Sequence, residues 1–435
     1  FYLNNIQDNL DQIVKDPPII YKHFNVEGAI NFTALLYVPE KAPFNLFEPS
    51  KRGQSLKLYT KNVLITADHK NLYPKWMEFI KGIVDTSDIE LNVSRQTVQN
   101  TSKLTKICNQ LTKKTIDMLE ELYEDEEKYN KFYKQFADSI KNGIHEEYSR
   151  EHTRDHNEIK IGNGFAKRLL RLLKFNTSHG RYVGFLDYIK NMKSNQKAIY
   201  YIAGDKKEVL EKSPFMDKLN TYGYEVLYFE NPIDEYIKGF LTTYVQDSDG
   251  NYNIVGAHDE GFDRFKEPDM SDMKTKVFVD VSRDKLLITE TENVINNEQA
   301  TELCATLKQI YEEKLGIKFF EVKLDEKFSS VPAIIVNHVH LSAQLEKLLK
   351  NSAASKRAEQ YNPAFERKDM LISNSHKICE YLYQKLCIEK QTGPDIIKVM
   401  EYMYQCALLS GGYELTDSNK FVKYSIELMT MVLKL

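Results

Sequence analysis

Glycine is scarce in this chain, at 18 of 435 residues. None of the glycines cluster as GxGxxG or GxxxxGK, which excludes the usual phosphate-cradling loops. Charge of one sign is also missing. The formal net charge is -4, with 59 Lys and Arg against 63 Asp and Glu, so a whole-surface attraction to nucleic acid is not indicated. No apolar run reaches membrane-spanning length. The five cysteines, Cys108, Cys304, Cys379, Cys387 and Cys406, form no CxxC pair. An odd count in so large a chain reads as reduced thiols inside a cell. Four Asn-x-Ser/Thr sequons, at Asn31, Asn92, Asn100 and Asn176, gain no meaning without a secretory signal. The first residue is Phe1 rather than Met, and the chain reads as a fragment.

What is present fits a globular protein: 42% of residues are hydrophobic and 28% charged. The length exceeds one core and predicts two or three domains. Residues 19–38 alternate as strands, with Phe32, Ala34, Leu36 and Val38 on one face and a turn at Glu27-Gly28. Pro39 to Pro49 is a loop carrying Phe44, Leu46 and Phe47. A strand is expected over Leu56 to Thr66 and a helix over 74–83, with Pro74 in its first turn. The clearest helix runs from Gln99 to Tyr123, where Leu104, Ile107, Cys108, Leu111, Met118 and Leu122 recur at 3.6-residue spacing. The acidic run Glu120 to Glu127 reads as a solvated face. Phe132, Phe136 and Ile140 mark one more helix, and residues 145–163 read as a linker or insertion.

Farther on, Phe165 to Phe175 is a basic amphipathic helix, with Lys167, Arg168, Arg171 and Lys174 against Phe165, Leu169, Leu172 and Leu173. A strand–helix–strand unit follows at Ala198 to Ala203, Asp205 to about Thr221 and Tyr224 to Phe229, as in a parallel sheet covered by helices. Ser213-Pro214 is expected to restart that helix with a cap and a first-turn proline. Residues 242–273 read as a surface loop, followed by a strand from Lys276 to Val281. A helix over Asn297 to Leu315 and strands at Lys318 to Lys323 and Ala333 to His338 come next, with helices and turns to the end. Gly393-Pro394 opens a helix bearing Ile396, Val399, Met400, Met403, Tyr404 and Ala407, and Gly411-Gly412 closes it. The last helix aligns Phe421, Tyr424, Leu428, Met431 and Leu435. These two helices either cap their own domain or pair with a second copy as a four-helix bundle.

Candidate chemistry is sparse. His152 and His156 are four apart, but without HExxH in polar surroundings they carry no metal expectation. The basic helix lacks interleaved aromatic platforms, so neither nucleic acid nor a membrane is expected as a partner. The stretch LNVSRQTVQN, Leu91 to Asn100, is more informative. It places Arg95 and Gln99 in a polar loop between a strand-like approach and a long helix. Arg keeps its charge and offers a planar fork of donors, which suits a phosphate.

That stretch, preceded by Phe79 to Asp85 (FIKGIVD), resembles the catalytic loop of the heat-shock protein 90 chaperones. Further blocks similar to that family are Lys22-His23-Phe24, Ala42-Pro43-Phe44, Gly143-Ile144-His145-Glu146, Glu211-Lys212-Ser213-Pro214-Phe215, Pro232-Ile233-Asp234-Glu235-Tyr236 and Ala407 to Gly412. The resemblance implies a mixed α/β fold. A layered α/β/α middle domain in two sub-domains, 1–150 and 151–285, would precede a mixed α/β dimerisation domain, 286–435, ending in a helical bundle. It also implies a fragment of an ATP-dependent chaperone that binds clients. The full-length protein would be an ATPase using ATP and Mg, whereas this chain alone lacks the nucleotide pocket and binds neither.

In that family picture Arg95 reaches the γ-phosphate and Gln99 helps hold the loop. Phe44, Leu46 and Phe47 form a patch for the N-terminal domain or an Aha-type activating co-chaperone, and Leu341, Leu345 and Leu349 lie on a client-contacting helix. The homodimer closes through Met400, Met403, Tyr424, Leu428, Met431 and Leu435. Tetratricopeptide-repeat co-chaperones would bind only through a tail that this sequence lacks. The expected compartment is the cytoplasm. Departures from the family pattern are Gln96 in place of Glu, Asn100 in place of a second Gln, and leucine in place of Met and Trp on the client helix. The alternative reading is an interaction scaffold uncoupled from nucleotide, with a gyrase B- or MutL-like transducer more distant.

Overall fold

The structure is a computed structural model describing residues 17–42, 56–61, 63–66, 73–89, 102–152, 164–241, 243–246, 252–255, 275–288, 296–339, 342–351, 367–415 and 417–433. The chain divides into two compact units, Phe1–Lys174 with Gly184–Leu186, and Phe175–Val183 with Asp187–Leu435. The architecture is mixed α/β, as expected. The expected boundary near residue 285 falls inside the second unit.

The first unit is built on a five-stranded sheet of order β1-β2-β5-β3-β4. Strands β1 (Ile20–Val26) and β2 (Phe32–Val38) form an antiparallel hairpin in which Val26 faces Phe32. Gly28 turns it at φ 138°, a conformation that side chains disfavour. The expected strand over 56–66 is a hairpin of β3 (Leu56–Thr60) and β4 (Val63–Thr66), with Lys61 at φ 50°. The segment 74–83, expected as a helix, is instead a 3-10 turn at Lys75–Met77 followed by strand β5 (Lys81–Thr86). Tertiary pairing decides this. β5 lies between β2 and β3, with Gly82 opposite Leu36, and a Cβ on Gly82 would collide with the Leu35 carbonyl oxygen.

Helix α1 (Ser102–Tyr123) buries the expected stripe from Leu104 to Leu122. Helix α2 (Glu126–His152) buries Phe132, Phe136, Ile140 and Ile144. It therefore runs through residues 145–152, where a linker was expected, because the apolar period continues past Ile140. The only tryptophan, Trp76, is buried here. A Cβ on Gly143 would stand 2.8 Å from its ring. The short helix α3 (Phe165–Arg171) completes the unit.

The second unit carries a seven-stranded sheet of order β11-β10-β12-β8-β9-β6-β7. Its members are β6 (Phe175–Thr177), β7 (Tyr182–Val183), β8 (Ala198–Ala203), β9 (Val226–Phe229), β10 (Thr243–Gln246), β11 (Tyr252–Val255) and β12 (Thr275–Asp280), with α4 (Phe185–Lys190) following β7. β12, β8 and β9 run parallel, as the short apolar runs predict. The crossover from β8 to β9 holds α5 (Lys207–Leu210), a 3-10 turn at Pro214–Met216 and α6 (Asp217–Tyr222). Pro214 does open that turn, but Ser213 makes no side-chain cap. The short helix α7 (Asp234–Ile237) follows β9. Within the expected loop 242–273, β10 and β11 form an antiparallel hairpin that extends the sheet edge. Thr243, Tyr244 and Val245 of β10 are residue types that favour strands, and Tyr244 is buried.

Helix α8 (Asn297–Leu315) starts at a capping box between Asn296 and Gln299 and ends at Gly316, φ 68°. Strands β13 (Glu321–Asp325), β14 (Ala333–Asn337) and β15 (Lys368–Ser373) form a sheet with β15 central. β15 was not expected, since its apolar run of Met370, Leu371 and Ile372 is too short to show a period of its own. The remaining helices are α9 (Ala343–Asn351), α10 (Lys377–Tyr383) running into a π-turn at Gln384–Ile388, α11 (Pro394–Ser410) and α12 (Ser418–Leu433). Ile396, Met400, Met403, Ala407 and Leu408 of α11 join one core with α8, α10 and the three-stranded sheet. A Cβ on Gly411 would collide with the Ile335 carbonyl oxygen, so α11 ends directly against β14.

Candidate functional site

Arg95 and Gln99 lie outside the described residues, as do Phe44, Leu46 and Phe47. The strand that leads toward residues 90–101 is described, and its end is pinned. Asp88 Oδ2 accepts the Asn31 backbone amide at 2.7 Å and Asn31 Nδ2 at 3.3 Å. Thr86 Oγ1 donates to the Asn31 carbonyl at 2.7 Å and accepts the Asp88 amide at 3.1 Å. Ile89 on one side and Leu104 on the other are buried. Thus both flanks of the Arg95 segment rest on packed side chains.

The basic helix α3 finds its acidic partner within its own unit. Arg168 Nη2 donates to Asp117 Oδ1 at 2.7 Å, and Arg168 also forks onto the Glu120 carboxylate. These hydrogen bonds push the guanidinium further up from its already high range. Lys174 is buried and donates to Asn130 Oδ1 at 2.9 Å, over the rings of Tyr123 and Tyr129. The acidic run expected to be solvated is therefore engaged at Glu120. Sequence spacing gave no sign of this, because the pair is 48 residues apart.

At the chain end, α12 lies along α11. Phe421 stacks on Tyr402 with ring centroids 5.3 Å apart, the Tyr424 hydroxyl donates to Glu401 Oε2 at 2.6 Å, and Lys420 pairs with the same carboxylate. Those contacts turn a second stripe outward: Val422, Ile426, Met429 and Leu433 are 53%, 53%, 56% and 65% exposed. Leu428 is exposed as well, and so are Val399 and Leu409 on α11. Met400 and Met403, expected at an interface between copies, are buried in the core of their own unit. Tyr424 is half-buried against α11, the Met431 side chain is not described, and Leu435 lies outside the described residues. Leu345 on α9 is half-buried; Leu341 and the Leu349 side chain are not described.

No helix among the described residues is long and apolar enough to cross a membrane. No disulfide joins the described cysteines; burial pushes the Cys304 and Cys379 thiols up to about 12, so they stay protonated and inert.

Compared with known proteins, residues 4–435 match the family described as Hsp90 protein. The chain belongs to the Hsp90 family of chaperones. It is 30% identical to heat shock protein 83 of Leishmania donovani over 417 residues, covering 94% of this chain and 81% of that protein. Similarity extends to endoplasmin homologs of Arabidopsis thaliana, 29% over 449 residues with 97% and 48% coverage, and of Hordeum vulgare, 31% over 432 residues with 93% and 48% coverage. The chain thus spans about half the length of those endoplasmin homologs.

Proposed function

We propose that this chain is the middle and C-terminal part of an ATP-driven chaperone that works as a homodimer. The open apolar stripe of α12 carries the dimer reading. Four large apolar side chains at Val422, Ile426, Met429 and Leu433 stand on one face of a helix whose opposite face is already taken by α11. A second copy would bury both stripes and complete a four-helix bundle from α11, α12 and their mates. Deleting residues 413–435 should leave a monomer in ultracentrifugation; a truncated chain that still dimerises would overturn the reading.

The nucleotide part of the proposal rests on Arg95 and on the Hsp90 relationship. Arg95 supplies a fixed cation where negative charge builds on a transferring phosphoryl group, and Gln99 steadies its loop. ATP with Mg would be held by a segment beyond this chain. Clients of non-native character would meet the leucine face around Leu341, Leu345 and Leu349. An Aha-type activator would meet Phe44, Leu46 and Phe47. The unlinked thiols favour the cytoplasm, which a fluorescently tagged full-length copy checks.

A further inference from the structure

The loop 326–332, between β13 and β14, carries a phenylalanine into the core of the seven-stranded sheet. Phe328 is buried and shares one apolar cluster with Ile334 of β14, Leu371 of β15 and residues of β8, β9 and β12. Its ring meets the Phe215 ring edge-on at 5.9 Å. Two bonds tie the loop to its own sheet. Ser373 Oγ donates to the Phe328 carbonyl at 2.8 Å, and the Ser373 amide donates to the Pro332 carbonyl at 3.0 Å. Others cross to the seven-stranded side. Asp217 Oδ2, at the start of α6, accepts the Ser329 and Ser330 amides at 3.2 and 3.0 Å. Just past β12, the Ser282 carbonyl accepts Lys327 Nζ at 3.1 Å, and that ammonium lies 5.2 Å from the centroid of the Phe215 ring.

This fastening has a shallow half and a deep half. Ser329 and Ser330 are exposed, whereas Lys327 and Phe328 are buried. Water replaces the amide bonds at the rim as soon as they break, but wetting the Phe328 ring forfeits its burial. The rim therefore yields first and the ring last. The three-stranded sheet does not depend on Phe328 for its own fold. Its other face, with Ala333, Ile335, Met370 and Ile372, builds a separate core with α8, α10 and α11. We propose that the 326–332 loop is a clasp, with Asp217 as its catch and Phe328 as its bolt. Closed, it makes the two sheets one arm. Released, it lets the three-stranded sheet part from the seven-stranded sheet while each keeps its own fold. The clasp needs neither nucleotide nor a second copy of the chain.

The test is native-state proteolysis of the whole chain by trypsin, with mass spectrometry counting the cut after Lys327. That bond is buried while the clasp is shut, so the cut reports the open population. Opening the clasp exposes less surface than unfolding the chain. The cutting rate should therefore rise more gently with urea than global unfolding does, as followed by circular dichroism. A rate that climbs as steeply as unfolding overturns the proposal, because the loop then leaves the core only when everything else does. Asp217→Ala should speed the cut by about tenfold. Asp217→Asn keeps an oxygen that accepts the two amides and should stay near the wild-type rate. A wild-type rate in Asp217→Ala removes Asp217 as the catch. Phe328→Leu keeps an apolar side chain in the core, so the chain still folds, yet the smaller bolt should also speed the cut. An unchanged rate there overturns the role of Phe328.

Discussion

Trp76 Nε1 donates to Glu147 Oε1 at 2.9 Å inside the first unit, and the Glu146 carboxylate accepts the backbone amides of Lys75 and Trp76 at 3.2 Å each. Two consecutive glutamates of α2 thus hold the turn that delivers β5 to the sheet. β5 in turn runs to the pinned end at Asp88, where the Arg95 segment begins.

Removing the indole donor should therefore weaken the unit that carries Arg95. Trp76→Phe is expected to cost about 1–3 kcal/mol, the usual range for a lost hydrogen bond to a buried charged group. Gly143→Val should cost a similar amount, about 1–3 kcal/mol, by forcing a branched side chain into the indole. Urea unfolding followed by circular dichroism measures both. In the wild type, fluorescence from the lone tryptophan should follow the first unit only.

The two faces of α12 should separate by function. Ile426→Asp with Met429→Asp is expected to give a monomer of unchanged helicity, read by sedimentation and circular dichroism. Tyr424→Phe removes the hydroxyl bond to Glu401 and should lower stability by about 0.5–1.5 kcal/mol while leaving self-association intact. The opposite pattern would mean that the stripe facing α11 had been assigned to the wrong partner.

Arg168→Ala should destabilise the chain by about 1–3 kcal/mol, since it leaves Asp117 and Glu120 side by side without their shared fork. Arg168→Lys should recover only part of that loss, because an ammonium cannot span both carboxylates in the same plane. Denaturant midpoints compare the three proteins.

His376 gives the chain a pH dependence of known sign. Its ring Nδ1 accepts the Ile378 amide at 3.1 Å and caps α10, so the bond requires the neutral imidazole. Burial holds this histidine below its usual value of 6.5. A depressed value means that the stabilisation is complete above pH 6.5 and is lost as pH falls through the lower folded value. Unfolding midpoints at pH 7 and pH 5 should differ in that direction, and His376→Asn, which caps without titrating, should remove this part of the difference.

Arg95→Ala in the full-length protein should leave ATP binding intact while hydrolysis falls by orders of magnitude. Coupled-assay turnover beside nucleotide titration checks this, and unchanged turnover would remove Arg95 from the mechanism.

Much of this architecture was legible from periodicity. The α1 stripe, the β8–β9 pair and the α8 limits all follow from spacing and caps that each segment carries by itself. β5 and β15 were not legible, for one reason: each is central in its sheet, and neighbours on both sides, rather than an internal period, hold it extended. The α12 stripe was blurred differently. Phe421, Val422, Tyr424, Ile426, Leu428 and Met429 cover most of the helix circumference, so only the position of α11 shows which of them remain open. Arg95 and Gln99 were legible only through a family likeness, because a lone arginine in a polar loop has no spacing that marks it.

Gly411 has one more consequence. Its missing side chain lets the end of α11 rest on the Ile335 carbonyl. A single added methyl would act there as a wedge, prying the end of α11 away from β14. The seating of the chain's last long core helix on its sheet thus hangs on one hydrogen atom.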